Sequence, residues 1–184
     1  MNIDPIEIIK KYYQENSELY NLLVSHSQAV TKKAVEIAMK VPQLKPDLKF
    51  IKESAMLHDI GIFLTNAPEI DCLGKEPYIC HGYLGGELLN KEGFYKHALV
   101  CERHTGVGLS INDIKKEKLP LPLRDMIPVS VEEKIICLAD KFFSKNKDCL
   151  VKEKSLNEIR INYQKFGEDK VKSFNKLLKE FKMV

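Results

Sequence analysis

Apolar residues recur at spacings of three and four along most of this chain, and ionisable side chains stand inside the stripes they form. After Ser17, the residues Leu19, Leu22, Leu23, Val30, Ala34, Ile37, Ala38 and Val41 share a helical face with His26, and Pro42 closes the run. After Pro46, the residues Leu48, Ile51, Ala55 and Ile62 share a face with Asp59, and Gly61 marks the expected end of that helix. A third stripe, Ile136, Asp140 and Phe143, follows Ser130, with Glu133 three residues on in capping-box spacing. A histidine or carboxylate aimed into a core is costly unless it is paired. Three helices that each aim one inward therefore predict a shared partner, and metal ions would satisfy them together.

The remaining pattern is also helical. Asp4 before Pro5, with Ile6, Ile9, Tyr12 and Tyr13, predicts a first helix to about Gln14. His81 starts a short helix through Leu84, Gly85 and Leu88, and after Gly93 the residues Phe94, Ala98, Cys101 and His104 form one face that Gly106 and Gly108 terminate. Residues 65–80 hold Pro68, Gly74 and Pro77 and are expected as a loop, as are residues 118–128 with Pro120, Pro122 and Pro128. From Ser155, the residues Leu156, Ile159, Tyr163, Phe166, Phe174, Leu177 and Phe181 continue the helical period with a break at Gly167. No segment alternates convincingly, so no strand is expected and the fold class is all-α, a helix bundle around a central metal site. Gly82, Gly85 and Gly86 follow no strand and lack a Walker lysine, so they are read as allowing close helix packing.

A length of 184 residues predicts one domain. It divides into a metal-ligand core over 17–145 and a basic amphipathic helical segment over 155–184 packed on it. The overall charge of +3 conceals an asymmetry: residues 141–184 carry 12 basic and 6 acidic residues. Without interleaved aromatics on a nucleic-acid fold, such an excess is read as a solvated helix face, so nucleic acid is not an expected partner. No apolar run of membrane length and no basic leader is present, so no membrane partner is expected. Five cysteines, Cys72, Cys80, Cys101, Cys137 and Cys149, form no C-x-x-C pair, which fits a reducing cytoplasm; Cys101 and Cys137 are read as small core residues. Oligomeric state leaves no signature in the sequence.

The ionisable residues in order are His26, His58-Asp59, His81, His104 and Asp140. This H…HD…H…H…D series resembles the HD superfamily of metal-dependent phosphohydrolases, in its two-metal HDIG branch, over residues 26–140. Within the superfamily, His81-Gly82-Tyr83-Leu84-Gly85, Arg103-His104-Thr105-Gly106 and Glu133-Lys134-Ile135-Ile136 look like the enzymes that hydrolyse dinucleoside tetraphosphates. The likeness fails after His104, where Gly106-Val107-Gly108-Leu109 and a proline-bearing stretch lengthen the path to Asp140. The G-Y-P element of the cyclic-dinucleotide branch is absent.

The resemblance implies one ion on His26, His58, Asp59 and Asp140, and a second on His81, His104 and the other oxygen of Asp59. Imidazole and carboxylate donors without thiolate favour iron or manganese, with zinc, cobalt, nickel or magnesium as alternatives. The implied activity is hydrolysis of a phosphate ester or phosphoanhydride by a metal-activated water, with Asp59 as the catalytic residue. The implied partner is a phosphorylated small molecule, a nucleotide and in sharper form a dinucleoside polyphosphate. Arg103, Lys141 and Thr105 are the expected substrate-binding residues, from their places beside His104 and Asp140. The competing reading is a non-catalytic HD module that binds metal or nucleotide and signals through a partner. His97 lies near the His104 stripe but matches no ligand position and is left out of the site.

Overall fold

Helix starts follow the side chains able to cap them. In the computed structural model, which describes residues 3–146 and 150–184, Asp4 Oδ1 accepts the Ile6 N–H at 2.9 Å and opens α1 (Pro5–Lys10). Cys149 lies outside the described residues. Ser17 Oγ opens α2 (Glu18–Met39) by accepting from Tyr20, and Asp47 opens α3 (Leu48–Leu57) by accepting from Phe50. Next come β1 (Thr65–Ala67), β2 (Cys72–Leu73) and β3 (Glu76–Pro77), then α4 (His81–Lys91), α5 (Tyr95–Arg103) and α6 (Ile111–Lys116). The chain finishes with α7 (Val131–Asp140), α8 (Leu156–Gln164) and α9 (Glu168–Glu180). Gly167, at φ +114°, separates the last two at the break its sequence position predicts.

The all-helical expectation needs one addition, since residues 65–80 contain a three-stranded sheet in the order β2-β1-β3. β1 pairs antiparallel with β2 and parallel with β3, and each strand has two or three residues, too few for alternation to register in the sequence. A second addition is α6, whose capping box joins Ser110 and Asp113. Two helices are shorter than expected: α1 ends at Lys10 rather than near Gln14, and α3 ends at Leu57. The Ser130 box is half formed. Ser130 Oγ accepts the Glu133 N–H, but the Glu133 carboxylate accepts the Val129 N–H at 2.8 Å instead of closing back on Ser130.

α2 lies at the centre, against α3 on one side and α7 on the other, while α4 packs along α5. One apolar cluster holds Val30, Ile37, Ile51, Ile135, Ile136 and Leu138 together with Phe174, Leu178 and Phe181 of the C-terminal helices. A second holds Leu22, Leu23, Leu57, Ile60 and Leu89, so α2 contributes to both. Cys72, Cys80, Cys101 and Cys137 are unpaired and buried.

Small residues set the distance between α4 and its neighbours. A Cβ on Gly85 would stand 2.4 Å from Cys101 Sγ, and one on Gly61 would stand 2.3 Å from the His81 carbonyl oxygen and 2.5 Å from the Gly85 nitrogen. The obstacles at Gly61 are backbone atoms, which cannot swing aside. Gly61→Ala therefore should destabilise by roughly 3 kcal/mol, the upper end for overpacking. Gly93→Ala, at φ +82° with nothing within 4 Å, should cost about 1–2 kcal/mol of backbone strain alone. Urea denaturation of the two variants checks the ranking, and equal losses would contradict it.

Candidate metal centre

Five helices deliver the six ionisable residues, five of them at or just beyond a helix end. His26 comes from the middle of α2, where Leu22, Leu23 and Val30 bury it. His58 and Asp59 follow the last turn of α3, His81 opens α4, His104 follows α5, and Asp140 closes α7. All six are buried, His58 and Asp59 completely. The sequence places the HD pair inside a longer third helix; instead His58 Nδ1 donates to the Ala55 carbonyl at 2.7 Å, and the chain turns away after Leu57.

That hydrogen bond repeats at two other histidines. His81 Nδ1 lies 2.7 Å from the Tyr78 carbonyl and His104 Nδ1 2.6 Å from the Cys101 carbonyl. A carbonyl oxygen only accepts, so each ring carries a proton on Nδ1 and directs Nε2 to the interior, where it is the atom free to ligate an ion. Backbone oxygens three residues upstream thus fix both tautomer and ring direction, as outer partners do at metal sites.

The Nε2 atoms converge on Asp59. Its Oδ2 lies 3.2 Å from His26 Nε2 and 3.0 Å from His58 Nε2, while its Oδ1 lies 3.3 Å from His81 Nε2 and 3.4 Å from His104 Nε2. Asp140 Oδ1 completes the first group at 3.1 Å from His26 Nε2 and 3.4 Å from His58 Nε2. His81 Nε2 and His104 Nε2 are 3.1 Å apart, a separation that repels when both carry lone pairs. His58 Nε2 and both Asp59 oxygens are buried and, although close to one another, meet no partner with hydrogen-bond geometry. Buried nitrogen and oxygen donors that crowd together without satisfying one another's hydrogen bonds fit divalent metal ions. His26, His58, Asp59 and Asp140 form one group able to hold an ion, and Asp59, His81 and His104 form another.

Two lysines balance the carboxylates. Lys141 Nζ donates to Asp140 Oδ2 at 2.6 Å and to the His104 carbonyl at 3.1 Å, so this expected residue is at the site. Lys145 Nζ lies 2.7 Å from Asp59 Oδ2 and was not foreseen. It stands beyond the end of α7, where helical spacing no longer says which way a side chain points. Burial pushes the Asp59 carboxyl up, but His58 and Lys145 outweigh it and hold it well below its ordinary range. Asp140 is lowered in the same way, burial being outweighed by Lys141 and Lys145.

The other expected substrate residues fare differently. Arg103 Nη1 is engaged with Glu133 at 3.0 and 3.3 Å, an ion pair tying α5 to α7, and is not brought to the donor groups. Thr105 lies against α4, its Oγ1 2.9 Å from where a Gly82 Cβ would stand. His97 faces Glu53 at 3.4 Å and packs on Phe50 and Phe94, apart from the cluster.

The fold is a helical domain that gathers His26, the His58-Asp59 pair and Asp140 into one buried group able to hold a metal ion. The sequence pattern described as HD domain matches residues 23–144, and the chain belongs to that family. An uncharacterized protein of Methanocaldococcus jannaschii is 34% identical over 140 residues, 73% of this chain and 70% of its own length. The tRNA (cytidine(56)-2'-O)-methyltransferases of Picrophilus torridus and Thermoplasma volcanium are each 30% identical, over 84% and 85% of this chain. The chain spans only 42% and 41% of those two proteins. No solved structure matches the chain. Among the described residues, no helix is long and apolar enough to cross a membrane.

The histidine environments set a pH dependence for the metal-free protein. Burial lowers His81 from 6.5 to about 3 and lowers His104 in the same direction. Below pH 6.5 the unfolded chain takes up protons at both positions that the folded chain refuses, so their contribution to stability declines as pH falls. His58 has the opposite sign. Burial lowers it, but Asp59 and Asp140 outweigh burial and raise it to about 9, so its contribution is complete below 6.5 and is lost toward 9. The melting temperature of chelator-treated protein should therefore fall on both sides of neutrality, and His81→Gln should flatten the acid limb. An acid limb unchanged by that variant would contradict the assignment.

Proposed function

We propose that this chain is a metal-dependent phosphohydrolase that cleaves a phosphate ester or phosphoanhydride of a nucleotide, with a dinucleoside polyphosphate as its sharper candidate substrate. The observation that carries the reading is Asp59, whose two oxygens face two separate sets of imidazole nitrogens. Such a carboxylate is suited to bridging two ions, iron or manganese by the donor chemistry. Bound there, divalent ions supply a water activated at neutral pH and positive charge for the phosphoryl oxygens.

The chain's own residues do the rest. Asp59, kept ionised by His58 and Lys145, and Asp140, kept ionised by Lys141 and Lys145, hold negative charge where cations are needed. The backbone carbonyls of Ala55, Tyr78 and Cys101 keep three imidazoles in the ligating tautomer. Lys141 and Lys145 offer ammonium groups to a polyanionic substrate as it approaches. Single-domain organisation over 1–184, with the C-terminal helices as part of one unit, belongs to the same proposal.

A second reading follows from the relatives. Two of them are named as tRNA methyltransferases and share this region as part of a longer chain, which favours an RNA-linked phosphate as substrate. A panel containing mononucleotides, dinucleoside polyphosphates, cyclic phosphates and end-phosphorylated tRNA separates the two readings.

Protein loaded with manganese or iron should release phosphate or nucleotide from at least one member of that panel. Asp59→Asn removes a charge that both donor groups share and should cost several kcal/mol of transition-state stabilisation, about a thousandfold in turnover, with the far-ultraviolet dichroism unchanged. Absence of hydrolysis across the panel by fully loaded protein contradicts the proposal and leaves the non-catalytic module.

A further inference from the structure

A cavity of about 280 Å³ opens directly beside Asp140, between the end of α7, the segment that follows it, and α8. Its walls include Lys141, Lys145 and Lys154 on one side and Asn162, Tyr163 and Phe166 on the other. Ile159, Asn162 and Tyr163 of α8 are spaced three and four residues apart, so one face of that helix lines it, and Phe166 joins them from the turn just past its end. The sequence pattern of the family ends at residue 144. Lys145, Lys154 and all of α8 therefore lie beyond the part of the chain that the family defines.

Charge selects the kind of ligand. The lining carries one carboxylate, Asp140, against the three ammonium groups of Lys141, Lys145 and Lys154, and Asp59 stands behind Lys145, so positive charge is in excess even before divalent ions add theirs. Lys154 is held in place: its backbone N–H donates to the Phe142 carbonyl at 2.7 Å, and its Nζ donates to the Phe143 carbonyl at 3.1 Å, not to a carboxylate. Its neighbour Glu153 is drawn away to Lys33 on α2. Lys154 thus offers a fixed cation with donors to spare.

Shape and surface select the rest. The volume is at the small end of ligand sites, about 300 Å³, too small for a folded nucleic acid and sufficient for part of a nucleotide. Phe166 is 65% exposed at the rim, a large apolar ring with an open face, and such rings stack on bases at little geometric cost. Asn162 beside it carries an amide that can both donate and accept.

We propose that this cavity is the substrate's binding pocket and that its ligand is a nucleotide bearing a chain of two or more phosphates. The phosphates run along Lys154, Lys145 and Lys141 toward Asp59 and Asp140, and the base lies on Phe166 with its edge toward Asn162. The assignment rests on the phosphohydrolase reading for the direction of the phosphate chain. It makes α8 and the residues that flank it, Lys154 before and Phe166 after, the part of the chain that chooses the substrate.

The test uses two probes that resist cleavage, the α,β-methylene analogue of ADP and its ring-less counterpart, methylenediphosphonate, titrated calorimetrically into manganese-loaded protein. Lys154→Met should weaken both about tenfold, as expected for losing a charged hydrogen bond. Phe166→Ala should weaken the nucleotide analogue about tenfold and leave the diphosphonate unchanged. Metal content and far-ultraviolet dichroism should match wild type in both variants, and Lys154→Arg should restore most of the lost affinity. Wild-type affinity for the analogue in both variants overturns the pocket, as does failure of wild-type protein to bind either probe. If the protein hydrolyses nucleotides with a KM that neither variant alters, the pocket is wrong and the activity stands. If it binds with the predicted split but hydrolyses nothing, the pocket stands and the phosphohydrolase reading fails.

Discussion

The structure depends on one fully buried carboxylate. Asp59 has imidazole nitrogens from α2 and from its own chain neighbour on one oxygen, imidazole nitrogens from the start of α4 and the end of α5 on the other, and a lysine ammonium alongside. A lone carboxylate in such a place would be expelled or protonated, and breaking a buried pair of this kind costs about 3–5 kcal/mol. The fold meets that constraint by ending helices at the centre: α3 stops one residue before the HD pair, α5 one residue before His104, and α7 at Asp140 itself. Each termination frees a side chain, or a backbone carbonyl that orients one.

Close packing of backbone is the second half of the same arrangement. Gly61, two residues past Asp59, lies against the first turn of α4, where a Cβ would meet the His81 carbonyl and the Gly85 nitrogen. Gly82, Gly85 and Gly86 likewise let α4 approach α5, since a Cβ on them would stand 2.7 Å from the Cys101 carbonyl oxygen, 2.4 Å from its Sγ and 3.0 Å from the Ala98 carbonyl oxygen. The two histidine rings that meet at 3.1 Å are carried by those two helices, so the glycine contacts set the spacing of the second donor group. Substitution at a glycine that touches no ligand is therefore able to disturb the site.

Much of this was legible beforehand because period and spacing survive translation into structure. His26, Asp59 and Asp140 sit on apolar stripes, and residues on such stripes point inward whatever the details of the turn. Where regular structure stops, that reasoning stops as well. Lys145 reaches Asp59 from a segment with no period, and Arg103, which sequence adjacency placed near phosphate, turns instead to Glu133. The spacing from Ser130 makes Glu133 half of a capping box, but its carboxylate serves Arg103 and the Val129 N–H. The three short strands were invisible because alternation needs more residues than they have, whereas α6 carried a readable signal in Ser110 and Asp113. The early end of α3 came from the His58 ring bonding the Ala55 carbonyl, a competition that no propensity registers.

Under the proposed function, Asp59 joins two cation sites rather than one. Crystals of protein purified without chelator and loaded with manganese or iron, measured at the metal's absorption edge, count the ions directly. Two anomalous peaks, one among His26, His58, Asp59 and Asp140 and the other among Asp59, His81 and His104, are the predicted result. A single peak, or fully loaded protein with none at Asp59, would contradict it.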